Sequence, residues 1–422
     1  MITVAELNDI DQLDNFRLAW HSLLGKTKGA TFAHSPEWLE HYWEHFGQGL
    51  KLRVLLITLG NKVIGIVPLV VKPVTTKLGT MRVLTYPLDG WGSFYGQIGS
   101  NPAATMVTAM RHIHGSKRDW DLIDLRYIDQ DGHDHKRTAN ALRSVGFQGS
   151  EAIWKQLPLV NTQETNWTSY LASRSSETQH SIKSAEQSIS AIGHVAFYRS
   201  QMEDPTAPGW NPRWDLWAEF EQMDFRFGNQ TTIAGGHFSN QRKLAFLREI
   251  HGPAVRAGRA RIDALFLKNS LVACAYGLQH AAGTDYLALG RQEDAPSESV
   301  TYLIARMIQE SIHEQEPSLN LALLGTELAG IWKNEDRKSY RCSHFPIMVP
   351  RSQLFRINRW ISQPTQKQKS SQATTTRKPA LNVKNETAQD ATIEITSDAP
   401  QDWSSENNPR PKGDRPGFRI VG

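Results

Sequence analysis

Cysteine is nearly absent. The 422 residues hold two, Cys274 and Cys342, far apart and without metal-type spacing, so neither a disulfide framework nor a zinc ribbon is expected and a reducing compartment, the cytoplasm, fits best. No stretch approaches the roughly 20 apolar residues of a membrane helix. The opening Met1-Ile2-Thr3-Val4-Ala5-Glu6 lacks the basic region and apolar run of a secretory leader. Charge of one sign is also scarce. Lys and Arg number 47 against 43 Asp and Glu, leaving +4, too little and too scattered for a nucleic-acid surface. P-loop, Rossmann fingerprint, nucleophile elbow and zinc-protease helix are all missing. His112 and His114 fall near a helix end, where i and i+2 side chains diverge; together with His133 and His135 they do not predict a metal site.

What the chain has in quantity is apolar periodicity, with 39% hydrophobic residues and 13 Trp. Length predicts two domains and an appendage. From about Ser362 to Gly422 the composition turns to Gln, Ser, Thr, Pro, Asn and charge, which predicts a disordered tail. Residues 1–165 form one predicted module. Ser35 and Pro36 open a helix with an apolar face of Trp38, Leu39, Tyr42, Trp43 and Phe46. Strands follow at Leu52–Thr58 and Lys62–Val71 around a Gly60-Asn61 turn, then a strand, the aromatic loop Tyr86–Gly96, and alternating helices and strands to Val160. Residues 166–350 repeat the order. Helices Ser176–Ile192 and Phe238–Ala257 precede a hairpin of Arg261–Leu267 and Leu271–His280, strand Asp285–Leu289, helix Ser299–Glu314 and strand Leu319–Leu324. The matching order suggests an internal duplication.

Several phrases carry a resemblance. Thr31-Phe32-Ala33-His34-Ser35-Pro36-Glu37-Trp38-Leu39, Ile64-Gly65-Ile66-Val67-Pro68-Leu69, Trp120-Asp121-Leu122-Ile123-Asp124-Leu125, and Leu323-Leu324-Gly325-Thr326-Glu327 with Trp332-Lys333 resemble segments of the CelD-type acetyltransferase-like proteins. These are tandem members of the GNAT superfamily related to the Fem-type aminoacyl-transferases. The resemblance spans roughly Thr31 to Pro346. It implies an α/β (α+β) fold of two GNAT-like modules, each a mixed, mostly antiparallel sheet flanked by helices. It further implies transfer of an acyl group from acetyl-CoA or another acyl-CoA to a small-molecule or saccharide acceptor, with a link to polysaccharide or envelope biosynthesis.

That chemistry needs a helix N-terminus for the carrier's diphosphate, a splayed strand pair to receive the pantetheine as if it were another strand, and an acid and a base. The expected carrier site is the loop into the Ser299 helix, with Arg291, Ser297, Glu298 and Ser299. Its acidity is unfavourable, because Glu293, Asp294 and Glu298 would repel a diphosphate. A non-enzymatic ligand-binding or scaffold protein of the same fold is therefore the alternative. Glu327 and His280 are candidate bases and Tyr286 (or Tyr302) a candidate acid. Trp332 and Lys333, with Trp91 and Tyr95 of the aromatic loop, are candidate acceptor contacts. The first module lacks a glycine-rich phosphate turn before its helix at Ala103 and is expected to be non-catalytic.

Overall fold

The computed structural model describes residues 1–76, 79–163, 165–200, 211–227 and 239–362; the tail beyond Ser362, with its Phe418–Val421 peptide, lies outside them. In the first half, β1 (Ile2–Leu7), β2 (Lys51–Leu59), β3 (Lys62–Thr76) and β4 (Gly79–Thr85) pair antiparallel in sequence, and β5 (Leu122–Ile128) joins β4 in parallel. β6 (Ser150–Asn161) ends this half. The second half supplies β7 (Val195–Arg199), β8 (Asp224–Phe227), β9 (Ala260–Leu267), β10 (Ser270–His280), β11 (Gly283–Arg291), β12 (Ser318–Asn320) and β13 (Glu335–His344). Here β7, β9, β10 and β11 run antiparallel in turn, and β12 is parallel to β11. The β9–β10 turn places Lys268 and Asn269 at φ 50° and 66°, the left-handed pair that matches strand twist in a tight hairpin. The duplicated order is thus present, antiparallel strands closing on one parallel pair in each half.

The halves do not make separate sheets. Among the described residues one 13-stranded sheet runs β1-β2-β3-β4-β5-β13-β6-β12-β11-β10-β9-β7, with β8 beside β11. The last strand of the second half, β13, lies between β5 and β6 of the first, and β6 in turn pairs with β12. Each half therefore completes the other's sheet. The Trp120–Leu125 phrase finds its reason here. Asp124 on β5 is buried and accepts from Arg126 Nε at 2.7 Å, Arg341 Nε at 2.9 Å and Ser343 Oγ at 2.7 Å. Arg341 and Ser343 belong to β13, so the first half's carboxylate anchors the second half's strand. Further along β13, Arg337 pairs with Asp129 at 2.9 Å.

Helices cover both faces. Helix Pro36–Phe46 is capped as expected, with Ser35 Oγ accepting from the Trp38 amide at 3.1 Å. Its buried Trp38 and Phe46 meet Phe246 of helix Asn240–Arg256, at ring separations of 4.9 and 5.1 Å, and Trp91 of the aromatic loop closes the cluster 4.8 Å from Phe246. This cluster joins the two halves. The loop is held from below by buried Asp89, which accepts from Lys72 Nζ at 2.5 Å and Tyr42 Oη at 2.7 Å. On the other face of the second half, helix Ser299–His313 packs Leu303, Ile304, Met307 and Ile308 with Leu265, Ala273, Ala275 and Tyr286, while Phe246 and Ile250 share a core with Ala264, Cys274 and Tyr276. Alternate strand residues thus serve opposite helices.

Candidate active site

The parallel pair β11–β12 is short. Thr284 faces Leu319 and Asp285 faces Asn320, and beyond them the strands part. Close approach at the start of the pair is permitted by Gly283, at φ +130°, where a Cβ would stand 1.9 Å from the Ser318 carbonyl oxygen. The edge of β11 that the divergence leaves is occupied by β8, which pairs Phe225 with Gly290 and Asp224 with Arg291. Phe225 is fixed by an edge-to-face contact of 4.7 Å with Phe220. In the first half the corresponding gap is filled by the aromatic loop, whose Tyr95 amide donates to the Tyr127 carbonyl at 2.8 Å. The groove expected to receive pantetheine as an added strand is therefore taken by the chain's own β8.

A polar cluster sits where β11 and β12 meet, on the side of the first half. Asn320 Nδ2 donates to Asp285 Oδ1 at 2.6 Å and to Ser93 Oγ of the aromatic loop at 2.5 Å, and its Oδ1 accepts from the Ala322 amide at 3.0 Å. The other Asp285 oxygen lies 3.7 Å from His280 Nε2. His280 Nδ1 accepts from the Ala282 amide at 3.2 Å, so the neutral ring carries its proton on Nε2. His34 is held the same way, its Nδ1 accepting from the Thr31 amide at 3.1 Å. Burial pushes His34 down to about 4, and the neighbouring His280 adds to the shift. His34 Nε2 makes no hydrogen bond among the described residues and its ring lines a cavity, stacked 4.5 Å from Tyr95. Two imidazoles thus present N–H donors, His34 in one cavity and His280 beside Asp285 in the other.

Cavities lined by described residues adjoin this sheet. One of about 410 Å³ in the first half is lined by Lys26, Lys28, His34, Tyr95, Ser100 and Arg137, among others. A small one of about 40 Å³ adjoins it and holds Ser93, His280, Asp285, Asn320 and Arg337; both include Gly29, Phe94, Asp129 and His133. Gly29, at φ +72°, admits the His133 ring, which a Cβ would strike at 2.2 Å. The third, of about 530 Å³, lies among helices Ser176–Ile192, Ser299–His313 and Thr326–Trp332, with Arg174, Glu177, Val300, Thr301 and Glu327 on its walls. The Ser299 amide donates to the Pro296 carbonyl at 3.0 Å, whereas those of Val300 and Thr301 have no backbone partner among the described residues. Ser299 Oγ is buried without a partner.

Residues 176–326 match the family described as "Acetyltransferase (GNAT) domain". They form an acetyltransferase domain of the GNAT type. No curated protein matches the chain. Its fold is similar to those of solved proteins at low identity. FemX shows 10% identity and a TM-score of 0.49 over 84% of this chain and 99% of that one. L-PGS from Bacillus licheniformis shows 12% and 0.45 over 84% and 98%. A tandem GNAT protein from the clavulanic acid biosynthesis pathway shows 10% and 0.37 over 82% and 99%.

The fold distributes the sequence-derived candidates over different places. His280 lies in the inter-half cavity, and Tyr95 lines the first-half cavity adjoining it. Glu327 and Trp332 line the cavity among the helices, with Glu327 exposed and Trp332 buried. Lys333 pairs with Asp336 at 2.6 Å, and Trp91 is part of the inter-half core. Arg291 donates to the Ala295 carbonyl of its own loop, and Ser297 to Glu298 at 2.9 Å. Neither lines a cavity described above. Tyr302, the alternative acid, is half-buried on the Ser299 helix. Tyr286 is fully buried, its hydroxyl donating to Asp263. That carboxylate also takes Arg199 Nε at 2.7 Å, and Arg199 reaches Ser311 Oγ at 2.9 Å. This geometry makes Tyr286 a structural donor to a buried ion pair. Tyr286→Phe is expected to cost about 2 kcal/mol, the range for a hydrogen bond to a charged group, in urea unfolding, with acyl transfer unchanged; loss of transfer in a folded variant would return Tyr286 to the chemistry.

Sequence reasoning missed Asp285, Asn320, Ser93 and His34. The available signal was parity. Asp285 interrupts an apolar strand one residue before Tyr286, and adjacent strand residues face opposite sides.

Among the described residues no helix is long and apolar enough to cross a membrane.

Proposed function

We propose that the chain transfers an acyl group from an acyl-carrier thioester such as acetyl-CoA to an amine or hydroxyl of a small-molecule or saccharide acceptor held between the two halves. The observation that carries this reading is the Asp285–Asn320–His280 cluster, which stands at the parting of the two parallel strands of the GNAT domain and faces the inter-half cavity. Asp285 is the acceptor-side base. His280 accepts from the Ala282 amide through Nδ1, so its role is to donate from Nε2 and orient. The acceptor's N–H or O–H proton passes to Asp285, its heteroatom attacks the thioester carbonyl, the C–S bond breaks, and the thiolate leaves to be protonated. Nothing is oxidised or reduced.

The carrier's fit is partial. The amides of Val300 and Thr301, at a helix N-terminus, suit a phosphate. Glu177 and Glu327 oppose one, and Arg174 is committed to the carbonyls of Trp332 and Lys333. The occupied β11 edge favours a second reading, a GNAT-fold protein that binds the acceptor-side ligand without transferring anything. Isothermal titration with acetyl-CoA, combined with Phe225→Pro, separates the two. Proline at Phe225 removes an amide from the β8 ladder. If β8 competes with the carrier, acetyl-CoA should bind the variant about tenfold or more tightly than the wild type, a gain of at least ~1.4 kcal/mol. Absence of binding to both proteins would leave the non-catalytic reading.

A further inference from the structure

The first half was expected to be catalytically idle, yet its cavity is built for an anion. Lys26, Lys28 and Arg137 line it, and the two lysines make no ion pair among the described residues. The carboxylates on the same wall are already engaged. Asp129 is paired with Arg337 at 2.9 Å and accepts from the Gly132 amide at 3.1 Å. Asp134 accepts from the Thr138 amide at 3.1 Å and from its hydroxyl at 2.5 Å. The cavity also receives the N-terminal end of the 14-residue helix Pro102–Gly115, through Ser100 and Pro102, whose dipole favours negative charge. An independent observation points the same way. His34 is 4% exposed, its Nδ1 is held by Thr31, and Nε2 has no hydrogen-bond partner among the described residues. A fixed N–H donor on the cavity wall matches a ligand oxygen.

We propose that this cavity is a phosphate subsite, in which Lys26, Lys28 and Arg137 bind the phosphate of a phosphorylated acceptor and His34 Nε2–H donates to the same molecule. About 410 Å³ accommodates a sugar-phosphate-sized ligand. The residues shared with the inter-half cavity place such a ligand next to the cavity that Asp285 lines. In contrast, the cavity among the helices bears Glu177 and Glu327. The two sites thus differ in sign, the acceptor side being basic. That the bound anion is the acceptor rests on the transferase reading; that the cavity binds a phosphate ester does not.

The test uses the full chain and direct binding, without turnover. Inorganic phosphate, a hexose 1-phosphate, the unphosphorylated hexose and acetate are titrated calorimetrically, with thermal shift as a second readout. The hexose 1-phosphate should bind, more weakly as salt rises, and the free hexose and acetate should not. Lys26 and Lys28 are exposed and Arg137 half-buried, so Lys26→Ala, Lys28→Ala and Arg137→Gln should leave melting in the absence of ligand unchanged. Each should weaken the hexose 1-phosphate by roughly tenfold, as expected for the loss of a charge-assisted contact. Lack of phosphate-ester binding, or binding that the three variants together leave intact, overturns the subsite. Acetyl-CoA displacing the hexose 1-phosphate would overturn its assignment to the acceptor. Failure of acetyl-CoA to bind anywhere, with the hexose 1-phosphate still bound, would defeat the transferase reading and leave the subsite standing.

Discussion

Acidification from pH 7 to pH 4 should destabilise the folded chain by several kcal/mol, with most of the loss below about pH 6.5. His34, His251 and His344 are each buried, and burial pushes each down to about 4 from the ordinary 6.5. Loss of hydration is the main cause in each, and the backbone hydrogen bonds oppose it only in part. His251 donates from Nε2 to the Pro212 carbonyl at 2.6 Å and stacks 5.0 Å from Trp217. His344 accepts from the Gln148 amide at 2.9 Å through Nδ1 and stacks 4.5 Å from Phe147. Above pH 6.5 the rings are neutral folded and unfolded, and contribute no pH dependence. Between 6.5 and 4 the unfolded chain binds protons that the folded chain refuses, so stability falls as pH falls, and the loss levels off below 4. A shift of that size corresponds to about 3 kcal/mol per histidine at 1.36 kcal/mol per unit, against a typical total of about 5–15 kcal/mol. Urea midpoints measured at pH 7, 6, 5 and 4 test this. His344→Asn keeps an acceptor for Gln148 without a titrating ring and should flatten the curve by about one third. A midpoint constant from pH 6.5 to 4.5 would contradict the assignment.

The parts of the fold that were legible in the sequence are those set by local chemistry. Ser35-Pro36 announces its helix because a hydroxyl cap and a fixed φ act within one turn. The hairpins were legible because alternation and a tight turn are short-range signals. What escaped was long-range. Asn320 and Ser93 lie 227 positions apart, and β13 enters the first half's sheet without leaving any mark in its own periodicity. β8 has four residues, too few to show alternation, yet it decides whether the β11 edge is open. The aromatic loop shows how composition misleads. Its glycines and aromatics suggested a ligand platform, but Trp91 is spent on the core between the halves, and the cavities are lined by Ser93, Phe94, Tyr95 and Gly96. In the same way Tyr286 was attractive as an acid because tyrosine is chemically able, whereas its neighbour Asp285 is the one on the cavity side.

Asp285→Asn should lower kcat for acyl transfer by a factor of about 10² to 10⁴, the usual contribution of a positioned base, with little change in acceptor affinity. The substitution keeps the size of the side chain and an oxygen to accept from Asn320 Nδ2, now at 2.6 Å from Oδ1. It removes the oxygen that faces His280 and with it the proton acceptor. His280→Gln should cost less. Gln cannot reproduce the constraint that the Ala282 amide places on Nδ1, but it leaves the carboxylate in place, so orientation suffers and basicity survives. The order of the two effects is the discriminating result. Were His280 the base, His280→Gln would be the more damaging change and Asp285→Asn would mainly disturb its orientation. Steady-state kinetics following free thiol release from acetyl-CoA gives kcat and KM separately, and binding of a hexose 1-phosphate to both variants checks that the cavity is intact. A folded Asp285→Asn protein with wild-type kcat would exclude the carboxylate from proton transfer and send the search for the base to Glu327, in the cavity among the helices.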